Sequence, residues 1–333
     1  MAMSLKSPLS ISIVIPTKDR LDSLSRCLES IATQTSSPHE LLVVDSGSDS
    51  QGIERLLANF AKCCPHTRSS IISSKAGSAT QRNRGADAAS GDIVLFLDDD
   101  VVLSPVFVSG IRAAYENEDG LRIGGVQGVV TEVVKKRSLP RVFLSWLYAV
   151  CFMQSRTANC QKVLISGKYI GYPARDASFP DHVYAKEYFE DIQWMSGCCM
   201  SVRREILRKH GLCFDENFEA LGPFAHMEDG DFSHRIFLMG YSLVRSGRAV
   251  CFHGAAAGSR KDLESYYSSK AYNHYLFWRK NIQMTPLAVL SFSWSQVGLL
   301  VEAAAKSLFA CSKGPSAGVF RGWRLILKTR ARH

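Results

Sequence analysis

The chain has 333 residues, of which 46% are hydrophobic and 21% are charged, and this composition argues against a disordered protein. A chain of this length can bury a full core, so we expect one elaborated domain with a C-terminal appendage. The formal net charge is +9 at pH 7, and no acidic residue follows Glu302. The basic tail is typical of a segment that contacts anionic lipid or nucleic acid. No nucleic-acid-binding motif accompanies it, and we expect no nucleic-acid partner.

The ten cysteines include the adjacent pairs Cys63-Cys64 and Cys198-Cys199 but no C-x-x-C spacing. This pattern predicts neither a zinc knuckle nor a thioredoxin-like site, and it indicates a reduced cytosolic compartment. Residues 1–10 contain one lysine and no apolar stretch before the first predicted strand. We therefore expect no secretory signal and a cytoplasmic location.

Short apolar runs alternate with segments of helical periodicity in the first hundred residues. The predicted elements are a strand at 11–17, a helix around 21–31, a strand at 39–45, a helix at 52–61, a strand at 69–73 and a helix at 79–89. Strands that alternate with helices predict a parallel sheet covered on both faces.

The next apolar run, residues 94–97, ends in three carboxylates, Asp98, Asp99 and Asp100. Side chains two residues apart in an extended chain share a face, so Asp98 and Asp100 can converge at the end of a strand. Open α/β sheets bind their ligands at that edge. Oxygen ligands favour Mg²⁺ or Mn²⁺ over zinc. The alternative is a solvated acidic turn or a helix N-terminus.

The pattern is less regular after Asp100. We expect a strand at 123–134, a strongly apolar segment at 139–153 and an irregular insertion at 154–190. Strands at 241–245 and 249–252 are predicted to lead to His253.

Several segments occur in an order that resembles a known family. They are SIVIPTKDR, VVDSGS, QRNRGADAASGDIVLFLDDD, SGCCMSVRRE, FDE and EDGDFSHRI, between about Ser10 and His253. This order resembles glycosyltransferase family 2, whose members share the GT-A fold and transfer a sugar from a nucleotide diphosphate donor. One departure is that Asp45 is followed by Ser46, where the family commonly has a second aspartate.

The resemblance implies an α/β GT-A fold, a Rossmann-like mixed sheet, with a C-terminal amphipathic helical appendage. We expect the GT-A domain at 1–258, with a donor half at about 10–103 and an acceptor half at about 104–258. Residues 259–333 would form a helical and basic segment that can associate with a membrane.

The resemblance also implies roles for residues on the donor side. Pro16, Thr17 and Asp45 would line the base pocket, with Asp45 accepting a hydrogen bond from a uracil- or thymine-like ring N–H. Alternatively, Asp45 only caps the next helix. Arg82, rather than Arg84, is expected to bind diphosphate oxygens through its guanidinium.

The three aspartates and His253 would form the metal and ribose region. Asp98 is expected near the ribose hydroxyls, with Asp99 also in the donor site. Asp100 would hold Mg²⁺ or Mn²⁺, which would act as a Lewis acid toward the departing nucleotide diphosphate. His253 is either a second metal ligand or a hydrogen-bonded core histidine.

On the acceptor side, the family pattern assigns the general base to Asp229, with Glu228 in support. General-base catalysis typically contributes about 10²–10⁴ in rate. Trp194 and Met195 could form an apolar platform for a sugar face, although such residues are more commonly buried in a core.

The segment Asn281–Val301 contains no charged residue, and it is long enough to be considered as a membrane span. Gln283, Pro286 and several serines dilute it. The alternatives are amphipathic helices in a membrane interface, ordinary packing on the domain, or a true span. We favour peripheral association with an anionic membrane, on the inner face of the cytoplasmic membrane.

Together these features predict an inverting, metal-dependent glycosyltransferase that acts in polysaccharide or cell-envelope biosynthesis. It would use a UDP-, dTDP- or GDP-sugar and a glycan or lipid-linked acceptor. A sugar-phosphate nucleotidyltransferase is one alternative, but it should have a glycine-rich loop where this chain has residues 16–20. A catalytically silent glycan-binding or scaffold protein is another.

Overall fold

The structure is a computed structural model that describes residues 7–47, 49–116, 122–132, 163–165, 168–170, 189–192, 194–222, 226–254, 262–309 and 313–330. The strands are β1 (Ile11–Thr17), β2 (Glu40–Asp45), β3 (Arg68–Ser73), β4 (Ile93–Leu97), β5 (Val101–Leu103), β6 (Ile123–Glu132), β7 (Val163–Ile165), β8 (Lys168–Ile170), β9 (Phe189–Asp191), β10 (Cys199–Arg203) and β11 (Ser242–His253). The helices are α1 (Leu21–Ala32), α2 (Ser50–Cys63), α3 (Ser78–Ala88), α4 (Phe107–Glu116), α5 (Arg204–His210), α6 (Glu228–Leu238), α7 (Leu263–Asn281), α8 (Pro286–Phe309) and α9 (Gly314–Arg330), with a 3₁₀ turn at Glu216–Glu219.

The chain divides into two compact units. The first comprises Met1–Val133, Ser178–Phe214 and Arg235–Ala255, and the second comprises Val134–Ala177, Asp215–His234 and Ala256–His333. The domain boundary expected at residue 258 stays a prediction.

A mixed sheet forms the centre of the first unit. Its strand order is β3-β2-β1-β4-β10-β6-β11-β5, and β9 pairs with β11. The strands β3, β2, β1 and β4 are parallel, whereas β10 runs antiparallel to β4 and β6. The predicted α/β fold with a mixed sheet and C-terminal helices is confirmed.

Helices cover both faces of the parallel half of this sheet. On one face, Ile11, Ile13 and Ile15 share a buried cluster with Leu24 and Leu28 of α1. On the other face, α3 approaches β1 so closely that a Cβ on Gly85 would lie 2.2 Å from Cγ1 of Val14. Burial on both faces explains why the strands read as continuous apolar runs.

The last strand of the sheet differs from the sequence prediction. Two strands were expected at 241–245 and 249–252, but the chain forms one strand, β11, from Ser242 to His253. Its register against β6 shifts between Ser246 and Val250. This irregularity lets one strand continue through residues that interrupt the alternating pattern.

Parts of the predicted middle region lie outside the described residues. These are the apolar segment 139–153 and most of the insertion at 154–190. Within that insertion, β7 and β8 form a two-stranded antiparallel sheet.

Three long helices build the described core of the second unit. Tyr267 and Ala271 of α7 pack with Leu299 and Ala303 of α8 and with Val319 of α9. Four of its five members are alanine, valine or leucine, and Tyr267 is the one large aromatic member.

Hydrogen bonds tie α6 to the end of α7. The buried carboxylate of Asp231 accepts hydrogen bonds from Lys280 Nζ at 3.0 Å and from Asn281 Nδ2 at 2.9 Å. Lys280, 49 positions away in the chain, thus supplies a positive charge to this buried carboxylate.

Glu40 carries a buried charge between β1, β2 and the turn before β4. Its Oε1 accepts hydrogen bonds from Ser12 Oγ at 2.6 Å, from Ser90 N at 2.5 Å and from Ser90 Oγ at 2.9 Å. Burial alone would raise the pKa of Glu40, but these hydrogen bonds hold it below its usual value.

We predict that Glu40→Gln lowers the free energy of unfolding at neutral pH by about 1–3 kcal/mol, because the charged acceptor of three hydrogen bonds is lost. A depressed folded-state pKa gives stability that is present above the unfolded pKa, about 4.3, and is lost as pH falls through the folded pKa. The difference from wild type should therefore shrink below about pH 4 in urea titrations. Glu54→Gln on the exposed side of α2 is the control. A difference that is constant with pH would contradict this account.

Candidate active site

The carboxyl ends of the parallel strands form one edge of the sheet. Thr17 at the end of β1 is paired with Asp45 at the end of β2. The strand β4 ends at Leu97, directly before Asp98. This edge is where open α/β sheets bind ligands.

Asp98, Asp100 and His253 converge at this edge. One ligand atom from each residue lies within 4.8 Å of the other two. His253 Nε2 is 3.1 Å from Asp100 Oδ1 and 4.0 Å from Asp98 Oδ2. The strands β5 and β11 pair antiparallel with His253 opposite Val101, and this register brings the histidine beside Asp100.

These three residues fit a divalent cation. Oδ1 of Asp100 is buried, and no hydrogen bond of good geometry reaches it among the described residues; its nearest partner is His253 Nε2 at 3.1 Å. A buried carboxylate oxygen without a donor is costly unless a cation satisfies it. Two carboxylates and an imidazole suit Mn²⁺, and carboxylates also suit Mg²⁺.

Charged neighbours shift the pKa values of the residues in this cluster. Contact with Asp100 raises the pKa of His253 to about 9, although burial opposes the shift. Burial alone would raise the pKa of Asp100, but His253 and Arg20 together hold it below its usual value.

Arg20 is a site residue that the sequence reasoning missed. Its Nη1 lies 2.6 Å from Asp99 Oδ1, and its Nη2 donates to Asp100 Oδ2 at 2.6 Å. The preceding residue, Asp19, has a φ of 52°, so a sharp turn after β1 directs the chain at this point. A basic residue three positions after the end of β1 was the available signal, because the chain there lies at the same edge as the aspartates.

The side chain of Asp99 points away from the cluster of Asp98, Asp100 and His253. Its Oδ2 accepts a hydrogen bond from Thr17 Oγ1 at 2.7 Å, while Oδ1 contacts Arg20. Burial raises the pKa of Asp99 to about 6, although Arg20 opposes the shift. Its carboxylate joins the ends of β1 and β4, and its expected place in the donor site stays a prediction.

Arg82 is buried beside Asp98. Its Nη2 donates to Asp98 Oδ1 at 3.0 Å and to the carbonyl oxygen of Gly197 at 3.2 Å. A Cβ on Gly197 would lie 2.9 Å from the same nitrogen, so glycine leaves room for the guanidinium. The expected contact of Arg82 with a diphosphate stays a prediction.

Two amide side chains of α3, also missed from sequence, fix the loops around the site. Gln81 Nε2 donates to the carbonyl oxygens of Thr17 at 2.9 Å and Val44 at 2.7 Å. Asn83 exchanges two hydrogen bonds with the backbone of Phe214, at 2.9 and 2.8 Å. Both contacts join segments that are distant in sequence, so no local pattern reports them.

Asp45 and Pro16 lie at the ends of β2 and β1. Asp45 is buried, and its Oδ1 accepts a hydrogen bond from Gly47 N at 2.8 Å. The helix α2 is capped by Asp49, which accepts from Gly52 N at 2.8 Å. The residue that caps α2 is therefore Asp49 and not Asp45. The role of Asp45 in base recognition stays a prediction.

Glu228 and Asp229 occupy the first turn of α6 in the second unit. Glu228 is buried and Asp229 is half-buried. Oδ1 of Asp229 accepts a hydrogen bond from Gly230 N at 2.7 Å. Met227, directly before them, has a φ of 74°, a conformation that costs free energy in a residue with a side chain and often occurs at functional sites.

Trp194 and Met195 are buried. Met195 packs against β6, where a Cβ on Gly125 would lie 2.6 Å from its Cε. Ser196 N, the next backbone donor, bonds to Gln127 Oε1 at 2.8 Å. Trp194 and Met195 therefore occupy core positions. Their part in acceptor binding stays a prediction.

Comparisons with known proteins identify the family and the fold. The model of the family "Glycosyl transferase family 2" matches residues 12–211, more than half of the chain. The uncharacterized glycosyltransferase YibD of Escherichia coli is 30% identical over 115 residues, which cover 34% of this chain and 33% of YibD. The matched segment thus spans about a third of that relative.

Solved structures share the fold at low identity. A mannosyltransferase of Pyrobaculum calidifontis in complex with GDP-Man and Mn²⁺ has a TM-score of 0.53 at 17% identity, covering 96% of this chain and 86% of that one. S. aureus TarS 1-349 in complex with UDP-GlcNAc has a TM-score of 0.53 at 16% identity, covering 90% and 76%. These likenesses establish the GT-A fold, and the family match establishes that the chain belongs to glycosyltransferase family 2.

Proposed function

We propose that the protein is an inverting, metal-dependent glycosyltransferase, which moves a sugar from a nucleotide diphosphate donor to a hydroxyl of a glycan or lipid-linked acceptor. The observation that carries the proposal is the convergence of Asp98, Asp100 and His253 at the carboxyl edge of the sheet. Thr17 and Asp45 end their strands at the same edge. Family membership and structural neighbours with bound UDP-GlcNAc or GDP-Man and Mn²⁺ support a nucleotide-sugar donor.

On the donor side, Asp100 and His253 would hold Mg²⁺ or Mn²⁺, with Asp98 toward the ribose hydroxyls. When bound, the cation supplies Lewis-acid neutralisation of the departing diphosphate. Arg82 orients Asp98 through its 3.0 Å hydrogen bond. Arg20 balances the charges of Asp99 and Asp100, so the carboxylates keep their positions before the donor enters. Asp45 and Thr17 would hold the base with Pro16.

In the transfer step, the acceptor hydroxyl oxygen bonds to the sugar's C1 while the C1–O bond to the diphosphate breaks. Asp229 takes the hydroxyl proton, and the bond electrons leave with the nucleotide diphosphate. Attack from the side opposite the leaving group inverts the anomeric centre. The half-buried position of Asp229 at the start of α6 leaves part of its carboxylate accessible to an acceptor.

A screen of the purified full chain would test this function. UDP-, dTDP- and GDP-sugars would be incubated with and without Mn²⁺ or Mg²⁺, and release of the nucleotide diphosphate would be followed. We expect metal-dependent release with one nucleotide class, and anomeric analysis by NMR should show inversion. Absence of release with every donor, together with absence of nucleotide diphosphate binding in calorimetry, would favour a glycan-binding protein of the same fold.

We predict that Asp100→Ala weakens Mn²⁺ binding by more than about tenfold. Removing a residue that only supports a metal ligand typically lowers metal affinity by about 10–100-fold, and Asp100 is proposed to be a ligand itself. Metal-dependent binding of a nucleotide diphosphate should fall with it. Asp99→Asn is the matched control, since Asp99 contacts Thr17 and Arg20 instead. Calorimetric titration of Mn²⁺ measures both, with circular dichroism to check folding. Equal losses in the two variants would refute the assigned cation site.

We predict that Asp229→Asn leaves donor affinity nearly unchanged while transfer falls by at least about 10², because the amide keeps the size of the carboxylate but cannot take a proton. Glu228→Gln is the matched control in the same turn and should retain more activity. Single-turnover transfer and donor titration give the two quantities separately. Parallel loss of affinity and turnover would place Asp229 in the donor site, and loss only in Glu228→Gln would make Glu228 the base.

A further inference from the structure

The helix α8 presents an exposed apolar stripe. The members recur at intervals of three, four or seven residues and are between 41% and 79% exposed: Leu287, Leu290, Trp294, Val297, Val301 and Leu308. Residues at this spacing lie on one side of an α-helix. We call these six residues the outer face of α8.

The opposite side of α8 is buried and partly polar. Ser291, Ser295, Gln296 and Glu302 are at most 8% exposed. Glu302 accepts hydrogen bonds from Tyr267 Oη at 3.0 Å and Lys270 Nζ at 3.2 Å. We call this side the inner face of α8, and it is anchored to α7 by a charged group.

This distribution differs from that on a helix at a water-exposed surface. Such a helix turns its apolar side toward the core and its charged side toward solvent. Here large apolar side chains face outward, whereas serine, glutamine and glutamate face inward beside Leu299 and Ala303. Contiguous exposed apolar surface of this kind marks an interaction site. The environment outside α8 should therefore be apolar.

The neighbouring helix α9 adds positive charge to the same unit. Phe320 and Leu327 are exposed on it, and Arg321, Arg324 and Lys328 beside them are exposed as well. No acidic residue follows Glu302 in the chain. On α9 itself the charged neighbours of these apolar side chains are basic, and Arg321 also lies 3.7 Å from Glu264 of α7. Such a surface complements anionic lipid, where phosphates lie above the acyl chains.

We propose that α8 lies in the interface of an anionic membrane, with its outer face in the acyl boundary and the basic residues of α9 at the phosphates. The helix does not cross the bilayer, although residues 286–308 are long and apolar enough to do so by length and composition. A crossing would place Glu302 and its contacts with Tyr267 and Lys270 in hydrocarbon, which is costly. The inference rests on the second unit alone and does not depend on the proposed function.

Vesicle sedimentation of the full chain tests the proposal. The double variant Leu290→Glu, Val297→Glu places charges on the outer face, while Leu238→Glu, at an exposed leucine of α6, is the matched control. We expect the wild type and the control to sediment with vesicles that contain phosphatidylglycerol, and the double variant to stay in the supernatant. Far-UV circular dichroism should show equal helix content in all three.

A second set of variants separates charge from insertion. Neutralising Arg321, Arg324 and Lys328 to Gln should weaken binding to anionic vesicles by about fivefold per charge, since each contributes about 1 kcal/mol near such a surface. Binding of the wild type to pure phosphatidylcholine should also be weaker. Equal sedimentation of the double variant and its control would overturn the proposal. So would a wild-type dimer in light scattering that ignores vesicles and dissociates in the double variant, because the outer face would then bind a second copy.

Discussion

The site depends on neutralising three consecutive carboxylates at the end of one strand. Two unit charges 4 Å apart repel by about 1 kcal/mol in bulk water and by about 4 kcal/mol near a protein surface, so Asp98, Asp99 and Asp100 cannot be held together without cations. Arg82 contacts the first, and Arg20 contacts the other two. These cations come from α3 and from the loop after β1. The order of the parallel strands, which brings those elements to one edge, is therefore part of the electrostatics of the site.

The sequence could predict this edge because its determinants are local. Apolar runs that alternate with helical periodicity predicted β1 to β4 with α1 to α3, and the acidic triplet after residues 94–97 identified the edge. Arg20 and Gln81 were missed, because their importance arises from contacts with residues that are distant in sequence. The partners of Arg20 lie 79 and 80 positions away, and those of Gln81 lie 64 and 37 positions away. The single strand β11 was also missed, since a register shift does not appear in an alternating pattern.

The C-terminal segment shows a different limit of sequence reasoning. The sequence contains an uncharged stretch between Asn281 and Val301. Its composition left open whether this stretch packs on the domain, lies on a membrane or crosses one. Which side of α8 is buried depends on tertiary partners such as Tyr267 and Trp323, which bond to Glu302 and Gln296. Only with those partners fixed does the outward position of the leucines and valines become evident.

In the proposed cation site, His253 would link the charge balance of the aspartates to cation binding. With a pKa of about 9, raised chiefly by Asp100, its imidazole is protonated at neutral pH when only Arg20 and Arg82 accompany the aspartates. In the proposed cation site, a proton on His253 and a divalent cation would be alternative ways to offset Asp98 and Asp100, since an imidazole must be neutral to act as a ligand. Falling pH favours the proton, and rising pH favours the cation. Arg20 can remain on the outer side of Asp100 in both states, because it uses Oδ2 while His253 approaches Oδ1. Arg20 thus pairs with Oδ2 of Asp100, while the proton on His253 and the proposed cation would exchange beside Oδ1.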